Sequence, residues 1–114
     1  MIEQKTLVGT KLKMVVNFCY PTDPAITLDT INFYVEFFCS LNKKLVLQKD
    51  DLIRHEETVG EITTVTWYAM VDTTVVGSGR LKMRLMAYIP DDDSSEGVRK
   101  EYAEVETGVI IDMT

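Results

Sequence analysis

The run from Arg80 to Ile89 constrains this chain most, because Leu81, Met83, Leu85, Ala87 and Ile89 alternate strictly in it with Arg80, Lys82, Arg84, Met86 and Tyr88. Side chains of a strand point to opposite faces in turn, whereas a helix returns to one face about every 3.6 residues. A period of two held this long fits a strand of about 33 Å with one face in a core.

The same period recurs along the chain, broken by turn residues. Lys11 to Cys19 places Leu12, Met14, Val16 and Phe18 on one side, and Tyr20-Pro21-Thr22-Asp23-Pro24 then ends it, since proline fixes φ and removes a backbone donor. Ile31 to Cys39 sets Ile31, Phe33, Val35 and Phe37 against Asn32, Tyr34, Glu36 and Phe38. A strand from Lys43 to Gln48 follows, then a helical turn over Lys49 to Ile53 and a polar loop from Arg54 to Glu61. Alternation resumes with Trp67, the natural core anchor. Asp72 to Gly77 reads as one helical turn, Asp72 capping its start and Gly77 able to take positive φ at its end. The last segment, Val98 to Ile111, predicts a strand bulged near Gly108.

Six or seven antiparallel strands without a long helix predict an all-β fold. The expected form is an immunoglobulin-like antiparallel β-sandwich of about seven strands with one or two short helical turns, and a small closed barrel is the alternative. At 114 residues the chain holds one domain, placed at 11–114, with residues 1–10 as an N-terminal extension.

Charge and composition narrow the function classes. Twelve Lys and Arg stand against 18 Asp and Glu, a formal charge of -6, which repels phosphate backbones and argues against nucleic acid as a partner. No apolar run reaches the roughly 18 residues of a membrane span, so no membrane partner is expected. Two cysteines, Cys19 and Cys39, fall at opposite ends of a strand if consecutive strands run antiparallel. At about 3.3 Å per residue that is too far for a disulfide, so free thiols are expected.

Catalytic, cofactor and metal sites are all read as none. His55 is the only histidine and stands in a polar stretch, the serines lie in turns, and no nucleophile-elbow spacing occurs. Gly77-Ser78-Gly79 lacks the rest of a phosphate loop. Asp91-Asp92-Asp93 and Asp50-Asp51 match no calcium-loop spacing and read as solvated turns.

What stands out is apolar residues on faces that a two-layer sandwich leaves to water. Tyr34, Phe38, Tyr68, Met70, Met86 and Tyr88 all fall opposite the core positions, and the expectation is one contiguous patch serving as a protein interface. A carbohydrate-binding face is the second expectation, disfavoured because Met and Phe suit protein packing better than sugar rings.

Three segments carry a family resemblance. They are Lys49-Asp50-Asp51-Leu52-Ile53, the stretch from Tyr68 through Asp72 and Gly77-Ser78-Gly79 to Arg84, and Ala87-Tyr88-Ile89-Pro90-Asp91-Asp92-Asp93 followed by Gly97-Val98-Arg99. Over roughly residues 30–108 the chain resembles small virion proteins, head-fibre and auxiliary capsid proteins, of crAss-like and related phages of Bacteroides-type bacteria. It is more loosely similar to the N-terminal domain of phage baseplate upper proteins. The resemblance rests on structural turns and carries no active-site residues. It implies a non-enzymatic virion structural protein, assembled in the bacterial host cytoplasm, that decorates the capsid or anchors a head fibre. Its partners would be copies of itself and the major capsid or other virion proteins; a baseplate or tail adaptor, or a module for host-surface glycans, are the alternatives.

Overall fold

The computed structural model describes residues 4–18 and 22–113. Among them, eight strands form two sheets packed face to face: β1 (Gln4–Leu7), β2 (Lys11–Val16), β3 (Asn32–Ser40), β4 (Lys43–Gln48), β5 (Ile53–Val59), β6 (Ile62–Asp72), β7 (Gly79–Pro90) and β8 (Val98–Asp112). A 3-10 turn, Lys49–Asp51, follows β4, and a four-residue helix, α1 (Thr73–Val76), follows β6. One sheet has the order β1-β8-β7-β3-β4 and the other β2-β6-β5. The expected all-β sandwich therefore forms, with eight strands rather than seven.

The strict alternations became the inner faces. Phe33, Val35 and Phe37 of β3 meet Leu81, Leu85, Ala87 and Ile89 of β7 beneath Trp67, Ala69 and Val71 of β6, all buried. Phe33 and Trp67 join the sheets edge to face, with ring centroids 5.6 Å apart and planes at 85°. Such a contact adds about 0.5–1.5 kcal/mol beyond the area it buries.

The turn chemistry behaves as its residues dictate. Asp72 accepts from the Thr74 amide at 3.0 Å at the start of α1, and Gly77 ends the helix at φ 77°. Thr73 is fully buried because its hydroxyl donates to the Thr10 carbonyl at 2.6 Å and accepts from the Gly9 amide at 2.9 Å, which pins the β1–β2 turn to α1. The expected bulge in β8 is present where the β7 register shifts between Arg80 and Lys82; Gly108 has φ 81° and the Thr107 hydroxyl donates to the Leu81 carbonyl.

Two expectations need correction. The N-terminal residues do not simply extend: Gln4–Leu7 pair in parallel with Val109–Asp112 of β8, and Val8 packs against the core. The polar stretch after Leu52 is not a loop but strand β5, turned at Gly60 (φ 65°) into a hairpin with β6. Every residue of β5 is exposed, so backbone pairing alone makes it a strand and no apolar alternation marks it. Residues 19–21 lie outside the described set, so the expectations for Cys19, Tyr20 and Pro21 do too. Cys39 is a free thiol, its pKa raised by burial.

A polar knot ties this hairpin to the body. Arg54 of β5 grips Asp29 through Nε and Nη2, both at 2.9 Å, and the Trp67 indole donates to the same carboxylate at 3.2 Å. The Arg54 hydrogen bond is the main reason the Asp29 carboxyl lies below its ordinary value of 3.8. A group with a lowered folded pKa adds stability above its unfolded value, and that contribution disappears as pH falls through the folded value. Asp29→Ala is expected to cost about 1–2 kcal/mol at neutral pH, as a lost charged hydrogen bond does, and to flatten the acid side of the stability curve below about pH 4. Urea unfolding at neutral and acid pH checks both; a variant with the wild-type acid slope would show that Asp29 contributes none of it.

Candidate functional site

β3 lies between β7 and β4, and β7 lies between β3 and β8, so the outward side chains of all four strands share one surface. The registers arrange them in rows. Gln48, Tyr34, Met86 and Tyr102 form one, with Asn32, Tyr88 and Lys100 beside it on one flank and Val46, Glu36, Arg84 and Glu104 on the other. Lys44, Phe38, Lys82 and Glu106 follow. Directly opposed side chains on one face of an antiparallel pair stand about 5 Å apart at Cβ, so each row is a continuous contact surface.

Four of the six expected interface residues, Tyr34, Phe38, Met86 and Tyr88, are thus brought together. The other two are not: Tyr68 and Met70 point outward from β6, on the far side of the sandwich, where Lys13 lies 4.4 Å from the Tyr68 ring centre and Val15 and Ile53 flank Tyr68 in register. The single patch of six becomes two surfaces on opposite sheets, because strand phase fixes which residues leave the core but not which strands are neighbours.

The larger surface is also less apolar than its sequence implies. Arg84 crosses it, with its guanidinium 5.1 Å from the Phe38 ring centre and 5.7 Å from that of Tyr102, while Nη2 donates to Glu104 at 2.8 Å. The Glu104 hydrogen bond is the main cause of the raised Arg84 pKa, so the cation persists at any physiological pH. Beneath this cover Phe38 is only 3% exposed, although it points outward. Long charged side chains lay their apolar stems over neighbouring rings in this way. Tyr34 and Tyr88 sit with centroids 6.3 Å apart, and Lys100 stands over Tyr88.

Glu36 is the buried charge of the face. Its Oε2 lies 3.3 Å from Lys44 Nζ, close enough to pair in charge but not aligned as a hydrogen bond. Tyr102, 65% exposed, is the residue that the pattern reading missed. Its signal was the alternation of Lys100, Tyr102, Glu104 and Glu106 on β8, which read only as charge.

The face carries aromatic rings, one thioether and alternating charges. His55 is exposed on β5, in the other sheet. Among the described residues no group of three or more His, Cys, Asp or Glu is placed to hold a metal ion. No family model matches the chain, and no curated protein matches it significantly.

Proposed function

We propose that this chain is a non-enzymatic structural protein that acts through protein–protein contacts on the outer face of the five-stranded sheet. The supporting observation is the row Tyr34, Met86 and Tyr102 with Tyr88 beside it, displayed by three hydrogen-bonded strands and crossed by the Glu36, Arg84 and Glu104 charges. Rings enclosed by paired charges give both affinity and register to a protein contact. The setting comes from the resemblance of the segments at 49–53, 68–84 and 87–99 to phage head-fibre and auxiliary capsid proteins. On that reading the chain decorates a capsid or anchors a fibre, meeting copies of itself and the capsid protein.

A glycan-binding face is the second reading, favoured by the exposed Tyr102 next to the donors and acceptors of Arg84 and Glu104. Size-exclusion chromatography with light scattering, run over a range of concentrations, separates the two. The wild-type chain is expected to self-associate, and Tyr102→Asp and Tyr34→Asp to weaken association at least tenfold with unchanged thermal midpoints. A strictly monomeric wild type would overturn the homotypic contact, and glycan binding lost in Tyr102→Asp would establish the second reading.

A further inference from the structure

The two sheets are unequal, and the mismatch leaves part of an inner face uncovered. Trp67 seats β6 over β3; β2 is the next strand of its sheet and the last, while β7 and β8 follow β3 in the other. β8 therefore lies beyond β2. A groove of about 570 Å³ runs along the inner face there, open at the half-buried Met83 of β7 and the exposed Ala103 and Val105 of β8, with the buried Leu85 and Ala87 at its base and Phe18 and Tyr102 at its sides. It continues into a gap between β2, at Met14 and Val15, and β8, at Val105 and Thr107. Met14 and Val15 point to opposite faces of β2, so the gap follows the edge of that strand.

Both sides of this gap offer backbone for pairing. Among the described residues β2 pairs with β6 alone, and β1 pairs with β8 at Val109–Asp112, short of residues 98–108. Val105 is 47% exposed although it lies on the inner side of its sheet. An apolar floor beside unpaired strand edges is the geometry that accepts an added strand, with main-chain bonds giving affinity and alternate side chains filling the floor.

We propose that this groove binds an extended segment of a partner chain, apolar at alternate residues and basic at its N-terminal end. A single added strand requires only the edge of β2 away from β6 and the apolar floor beside it. The charge requirement follows from the direction of the groove. β2 runs toward Phe18 and Thr22, at the end lined by Glu101 and nearest the β7–β8 loop, which carries Asp92, Asp93 and Glu96. Arg99 already pairs with Asp91 and Glu101 at that end, so a strand added antiparallel to β2 starts nearest Asp92, Asp93 and Glu96, and Lys or Arg in its first positions meets those carboxylates.

The test uses the full chain and a fluorescent peptide, Lys-Lys-Val-Thr-Val-Ser-Ile-Thr-Val, read by anisotropy. Saturable binding is expected, lost when alternate residues are replaced by proline and weakened at least tenfold when the two lysines become glutamates. Val105→Arg, at an exposed position, is expected to weaken binding at least tenfold with an unchanged thermal midpoint, while Tyr34→Asp, on the outer face of β3 and away from the groove lining, leaves it intact. Tyr34→Asp thus separates this groove from the outer-face contact. No saturable binding, equal binding of the proline peptide, or wild-type affinity in Val105→Arg would each overturn the proposal. If Val105→Arg lowers the midpoint, Ala103→Lys supplies the same reading at a second exposed floor position.

Discussion

Phe33→Ala is expected to destabilise the chain by about 3–5 kcal/mol, the usual cost of removing a fully buried phenylalanine and leaving a cavity. At 1% exposure Phe33 touches no water, and its ring is the edge-to-face partner of Trp67, so the substitution removes the aromatic link between the sheets as well as the buried area. Against a total stability on the order of 5–15 kcal/mol, the loss should lower the thermal midpoint by roughly 10–20 °C. Phe33→Leu keeps most of the volume and should lose less than half as much. Thermal and urea unfolding by circular dichroism measure both; equal losses for the two variants would mean that the ring contact with Trp67, and not the buried volume, carries the effect.

Deleting residues 1–8 is expected to cost about 2–4 kcal/mol, from one partly buried valine and the hydrogen bonds of a short ladder. The deletion removes β1, the packing of Val8 on the core and the 2.9 Å bond from the Val8 amide to the Asp112 carbonyl. It also uncovers the edge of β8 at Val109 and Ile111, which are 4% and 1% exposed. Hydrogen exchange locates the effect: amides of residues 109–112 should lose protection well before those of β3. Unchanged stability would return residues 1–8 to the status of a dispensable extension.

These two positions mark how far the sequence could be read. Phe33 was legible because β3 alternates for its whole length and one face is fully buried, and a strand so patterned has one solution. The N-terminal strand was not, because four residues paired at a sheet edge carry no apolar period long enough to detect. β5 was hidden for a related reason: Ile53–Val59 is exposed on both faces, so its strand character comes from the β6 ladder and not from burial. Turn chemistry survived translation into structure, since Asp72, Gly77 and Gly108 act through local backbone geometry that needs no distant partner.

The candidate surface divides along the same line. Local alternation told correctly that Tyr34, Phe38, Tyr68, Met70, Met86 and Tyr88 leave the core, a property of each strand by itself. Strand order placed Tyr68 and Met70 on the other sheet, and cross-strand register put Arg84 over Phe38 and brought Tyr102 beside Met86. The two-residue period dictated an all-β chain with these inner faces, because alternation buries one side of each strand, and it left a sandwich and a small closed barrel both open. Which strands are neighbours, which outward rings lie under charged side chains and where the smaller sheet stops short of β8 all depend on contacts between residues far apart in the chain, which no local pattern encodes.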